Sequence, residues 1–192
     1  EDFTANIRLI DCVGYVIDAA KGYEDDNGPR MVKTPWYDHE IPFNMAAEIG
    51  TQKVITEHST IGLLVTTDGS ISDIPREEYE EAEERVVDEL KAINKPFVVL
   101  LNSVNPQSPE EFNLVTKLTE KYCVPVIPVN CLDMDEKLIK EVLTAILYRF
   151  PVREIGISLP SWVMSLHREH WLRSSVLQSV KQSAVNVNCV GD

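Results

Sequence analysis

Four short apolar runs, at 7–10, 60–66, 96–101 and 124–129, alternate along the chain with segments of helical periodicity. Each is rich in Val, Ile or Leu and too continuous for a strand with one wet face. Such runs match a parallel sheet covered on both sides. Helices are expected at 44–58, 77–93, 110–122 and 135–150. Ser108-Pro109 offers a cap and a first-turn proline to the third of these. Pro151 stops the fourth. Strands and helices in this order lead to an α/β fold with a mostly parallel sheet.

The 192 residues suffice for one domain and an appendage. The pattern changes after Pro151, so a core domain is expected at 1–151 and a linker with the beginning of a further domain at 152–192. Residues 152–159 read as another strand. Trp171, Leu172, Val176, Leu177, Val180 and Ala184 recur at helical spacing, a stripe that packs on the core or opens the next domain. About 45 residues separate Gly14 from the second run, long for a βα connection. This insert, 15–58, is expected to be partly ordered around Trp36, Tyr37 and Phe43. It reads as a switch that senses ligand, or else as rigid padding.

A net charge of −13 leaves no basic patch for nucleic acid. No run approaches the roughly 18 apolar residues of a membrane span. Cys12, Cys123, Cys131 and Cys189 show no C-x-x-C spacing and are expected as buried reduced thiols, which suits a cytoplasmic protein. His167 and His170 lack further ligands nearby and read as surface residues. The acidic run 77–81 reads as a solvated face at a helix N-terminus. The first run begins almost at once and no initiator Met precedes it, so the chain is expected to be a piece of a longer protein.

The chemistry lies where the runs end. In open α/β sheets, ligands bind beyond the carboxyl ends of the strands. The first run ends in Asp11-Cys12-Val13-Gly14. A carboxylate there can hold Mg²⁺, directly or through water. A glycine three residues on lets its N–H approach a γ-phosphate unobstructed. The other runs end in Thr66-Thr67-Asp68-Gly69, Asn102-Ser103-Val104-Asn105 and Asn130-Cys131. Thr67, Asn102 and Asn130 are therefore candidates for a nucleotide edge. Thr66, Thr67 and Asp68 serve equally well as strand-end caps, and Asn102 as a brace between loops. No G-x-x-x-x-G-K-[ST] phosphate loop occurs, since Lys21-Gly22 is in the wrong order, and G-x-G-x-x-G is absent too. Such a loop belongs upstream of the metal-binding Asp, where only six residues precede the first run. By itself the chain is expected to bind nucleotide poorly and to hydrolyse it negligibly.

The segments IRLIDCVGY (7–15), PRMVKTPW (29–36), EIGTQKV (48–54), HSTIGLLVTTDGS (58–70), PFVVLLNS (96–103) and VIPVNC (126–131), with LPSWV (159–163) and HWL (170–172), resemble the stage IV sporulation protein A family. The resemblance runs over nearly the whole chain. It implies a three-layer P-loop NTPase core of the GTPase-like kind, incomplete at its N-terminus. It implies ATP hydrolysis with Mg²⁺, with Asp11 at the metal and Gly14 at the phosphate. It also implies self-assembly into polymers as the basement layer of the spore coat, in the mother-cell cytoplasm at the outer forespore membrane. The implied partners are a small amphipathic membrane peptide and other spore coat proteins, held mostly outside this chain.

Two departures from GTPases follow from the residues. A guanine-reading N-K-x-D is replaced by Asn102-Ser103-Val104-Asn105. An Asn amide has one acceptor and one donor and cannot take both guanine hydrogens, so guanine preference is lost. Tyr15 stands where a water-orienting Gln often follows D-x-x-G, so hydrolysis is expected to be slow and to depend on assembly. The rival reading is a structural assembly module with a vestigial nucleotide site.

Overall fold

The computed structural model describes residues 6–17, 19–20, 22, 24–25 and 28–192. Residues 1–5 of the expected core and 18, 21, 23, 26 and 27 of the expected insert, Lys21 among them, lie outside the described residues. The insert opens with two short antiparallel pairs, β1 (Glu24–Asp25) with β2 (Gly28–Pro29) and β3 (Met31–Val32) with β4 (Ile41–Pro42). Helix α1 (Phe43–Lys53) follows and widens into a π-helical turn, Val54–His58. Then come β5 (Gly62–Thr67), α2 (Glu77–Ala92), β6 (Phe97–Asn102), α3 (Pro109–Tyr122), β7 (Val126–Val129) and α4 (Glu136–Tyr148). Two further helices close the chain, α5 (Ser161–Ser165) and α6 (Trp171–Val185).

Three of the four apolar runs form one parallel sheet in the order β5-β6-β7, with Thr67 beside Asn102 and Asn102 beside Val129. The helices between these strands are the crossovers that parallel pairing requires. Phe97, Val99 and Leu101 of β6 point to one face, where Val87 and Leu90 of α2 and Leu118 and Tyr122 of α3 cover them. Val98 and Leu100 on the opposite face are buried as well. Such two-sided cover is why β6 has no polar alternation. The fold is α/β, as expected.

The first run departs from expectation. Residues 7–10 are not a strand; Ile7 is 54% exposed and Leu9 80%. A strand persists only where its N–H and C=O groups find a neighbour. Among the described residues no strand pairs with this run. On β5, Leu63 and Val65 remain exposed. Residues 152–159 are not a strand either. At their start, Pro151 makes an isolated bridge to Cys189 and the Val152 N–H bonds the Asn188 carbonyl, both beyond the end of α6. The thiols also differ from expectation: Cys12, Cys123 and Cys131 are exposed and Cys189 is half-buried, all unpaired. Cys123 occupies a left-handed C-cap after α3 (φ 55°), and Cys12 belongs to the unpaired first segment, so neither has a core to enter.

Helix α2 is fixed by a pair that no periodicity shows. Arg76 donates two hydrogen bonds to the buried Glu83 (2.6 and 2.7 Å) and a third to Thr66. Tyr122 of α3 donates to the same carboxylate at 2.5 Å. Burial opposes ionisation of Glu83, but these donors outweigh it and hold its carboxyl below the usual range. Breaking such a pair strands a buried charge, at a cost of about 3–5 kcal/mol.

The chain divides into two compact units, 1–139 and 140–192, with α4 crossing the division. In the second unit α6 has no fully buried residue, and Trp171, first of the expected stripe, is 74% exposed. His170 caps α6 by accepting the Leu172 N–H. No helix among the described residues is long and apolar enough to cross a membrane.

Candidate functional site

Asp11 and Gly14 lie in a segment without regular secondary structure ahead of the insert, rather than at the close of a strand. Gly14 has φ 82°, the left-handed region that favours glycine. Its N–H donates to Thr51 Oγ1 (3.0 Å), and the Thr51 hydroxyl donates back to the Gly14 carbonyl (3.2 Å). Thr51 is buried on α1. Asp11 is exposed. It lines a cleft of about 400 Å³ with Trp36, Phe43 and Thr51, and shares a second cleft with Gly14 beside β5.

Tyr15 is held by two residues of α2. Its hydroxyl bonds Glu89 of α2, and Arg85 lies 4.6 Å from its ring centre. Arg85 in turn makes two hydrogen bonds to Glu48 of α1 (2.9 and 3.0 Å). Burial, then Glu89, pushes the Tyr15 phenol well above its ordinary range. The hydroxyl proton of Tyr15 is thus committed to Glu89. Thr51, Arg85 and Glu89 were not foreseen from sequence. Their pairing crosses 37 to 74 positions of chain, beyond the reach of local patterns.

The remaining candidates form a rim at the carboxyl ends of the sheet. Thr67 is buried and accepts the Gly69 N–H (3.1 Å). Asp68 accepts from the Ser70 N–H (2.9 Å), the Ser70 hydroxyl (2.6 Å) and Ser103 (2.8 Å). Burial raises the Asp68 carboxyl, but these bonds prevail and lower it. Asn102 Oδ1 accepts the Cys131 N–H (3.0 Å). Asn130 accepts the Leu132 N–H (3.0 Å) and donates to Asp133 (3.2 Å). Asn102 thus ties one loop to another, whereas Thr67 and Asn130 brace the turns that follow their own strands. Ser103, where a base-covering Lys stands in GTPases, is buried against Asp68. The structure brings Thr67, Asn102 and Asn130 together, and Asp11 with Gly14. None of the rim three lines the two clefts that Asp11 lines.

Among the described residues no group of three or more His, Cys, Asp or Glu side chains is placed to hold a metal. His167 is exposed, whereas His170 is half-buried and spends its Nδ1 on the α6 cap. A lone exposed carboxylate still fits Mg²⁺, which keeps its waters and takes one or two carboxylates together with substrate phosphates. Asp11 is the residue that would hold it.

The first 151 residues match the sequence model of the stage IV sporulation protein A ATPase domain, and residues 152–192 match that of the middle domain. Stage IV sporulation protein A of Bacillus subtilis (strain 168) is 54% identical over 187 residues, which is 97% of this chain and 38% of that protein. The Bacillus anthracis protein of the same name is 51% identical over 192 residues, all of this chain and 39% of the relative. The Clostridioides difficile protein is 49% identical over 186 residues, 97% of this chain and 38% of the relative. The chain therefore spans about two-fifths of the length of these relatives. No solved structure matches it significantly. A parallel α/β core matching an ATPase domain over 151 residues, continued by the middle domain, puts the chain in one family: it belongs to the stage IV sporulation protein A family.

Proposed function

We propose that this chain carries part of the nucleotide site of an ATPase, with 1–151 as its NTPase core and 152–192 opening the next domain. The observation that supports this most is the Asp11–Gly14 segment. It pairs an exposed carboxylate with a glycine in left-handed backbone at the edge of the cleft beside β5, inside a stretch matching an ATPase domain. Asp11 binds Mg²⁺ on ATP, and the Gly14 N–H meets the γ-phosphate. Bound Mg²⁺ supplies charge neutralisation on the phosphates. The chain's own part is to place one carboxylate and one backbone donor. Thr67, Asn102 and Asn130 complete the nucleotide edge by holding the loops that frame it.

The family resemblance extends the proposal to the intact protein. It polymerises on the forespore surface as the basement layer of the spore coat, in the mother-cell cytoplasm. A small amphipathic membrane peptide and other coat proteins engage regions mostly outside this chain. With the Tyr15 proton tied to Glu89, the attacking water is oriented by another group, from the 15–58 insert or from a neighbouring subunit, and dependence on assembly follows from the second. Hydrolysis per subunit is then slow in dilute protein and rises with assembly. A turnover assay on the full-length protein across a concentration series tests this. A rate that stays high and constant on dilution contradicts it.

The second reading is a scaffold whose nucleotide site is vestigial. The internal satisfaction of Thr67, Asn102 and Asn130 favours it. Polymers that form equally well without nucleotide would select this reading.

A further inference from the structure

We infer that Thr51 is a latch on Gly14 that a nucleoside triphosphate must open and a diphosphate leaves closed, so that the latch tempers the protein's preference for the triphosphate. The inference rests on the proposed placing of the γ-phosphate at Gly14. In the structure that N–H is already taken, by Thr51 Oγ1 at 3.0 Å. The same hydroxyl returns a bond to the Gly14 carbonyl at 3.2 Å, so one side chain holds both polar groups of one residue. Thr51 is 3% exposed. Bonded both ways, its hydroxyl stays on Gly14 until a better acceptor for the Gly14 N–H arrives.

A terminal phosphate oxygen is that acceptor. Hydrogen bonds to an ionised acceptor are about twice as strong as neutral ones, so the exchange at Gly14 favours the phosphate. The freed hydroxyl is not left unpaired, because a helical Thr can turn to the carbonyl four residues back, here that of Ala47. A diphosphate lacks the γ-oxygen and leaves the latch closed. The residue after Gly14 is gripped by the same helix. Tyr15 stacks under Arg85, and Arg85 is bound to Glu48, three positions before Thr51 on α1. Opening the latch therefore releases α1 from Gly14 while Arg85 keeps it on Tyr15, which makes Thr51 a positioning residue rather than a catalytic one.

The test uses the full-length protein and reads dissociation constants for Mg-ATP and Mg-ADP. Thr51→Val keeps the buried volume and removes the hydroxyl; Thr51→Ser keeps the hydroxyl. The Val variant should bind Mg-ATP about five-fold more tightly, the scale of one ordinary hydrogen bond. Its Mg-ADP affinity should change less than about two-fold, and the Ser variant should keep the unmodified ratio. An ATP-to-ADP ratio unchanged in Thr51→Val, or Ser behaving as Val, overturns the latch. Should the Val variant not fold, the Gly14 amide resonance of the unmodified protein decides. It moves with Mg-ATP and not with Mg-ADP if the latch opens, and an equal response to both overturns the inference. If the unmodified protein binds neither nucleotide, the failure is that of the nucleotide-site reading, and the latch falls with it.

Discussion

Two residues at the rim carry measurable strain or charge. Gly69 has φ 90°, and a Cβ there would lie 2.9 Å from the Arg76 backbone nitrogen. Gly69→Ala should lower stability by about 1–3 kcal/mol, read as a shift in the urea midpoint. Glu111 is buried, and its Oε1 meets no partner. Burial, then the nearby Asp68 carboxylate, pushes its carboxyl up to about 7, against the contrary pull of Ser103 and Arg76. Its ordinary value is 4.5. Between the two, the folded state holds a proton that the unfolded chain has released. Stability should therefore fall as pH rises through that window, by at most about 3 kcal/mol. Glu111→Gln should flatten that slope in denaturation curves taken from pH 4.5 to 8. A slope unchanged by the substitution would rule out Glu111 as its source.

At the scale of elements, what the chain showed in advance was what neighbouring residues decide. Ser108 accepts the Glu111 N–H at 3.1 Å, the cap expected from Ser108-Pro109. Ser108→Ala should cost about 1 kcal/mol in thermal or chemical unfolding. Helices α1 to α4 and strands β5 to β7 were all legible, because their periodicity and their stops are local. The run at 7–10 misled because its composition is that of a buried strand, whereas a strand also needs a partner. Thr51, Arg85 and Glu89 were hidden because each acts on a residue far along the chain. The Arg85–Glu48 pair is about half exposed, so it carries little of the global stability. Arg85→Gln should change the unfolding free energy by less than about 1 kcal/mol. It should nonetheless speed amide exchange in α1, whose tie to α2 it removes. Exchange in α1 that stays as slow as before would refute that coupling.

On the scale of the whole molecule, the chain pairs a parallel α/β sheet with membership of a family that has an ATPase domain, and the proposed nucleotide site draws on only part of it. To that proposed site the chain would contribute one carboxylate, one glycine and a braced rim. It contributes no phosphate-loop sequence, so the account places tight binding in the full-length protein. The most direct test is the magnesium dependence of ATP affinity in that protein, compared with Asp11→Asn. The account predicts that Mg²⁺ tightens ATP binding at least about ten-fold in the unmodified protein, the scale of a charge-assisted contact of 1.4 kcal/mol or more, and that Asp11→Asn abolishes this gain. An Asp11→Asn protein whose ATP affinity responds to Mg²⁺ as the unmodified one does would contradict it.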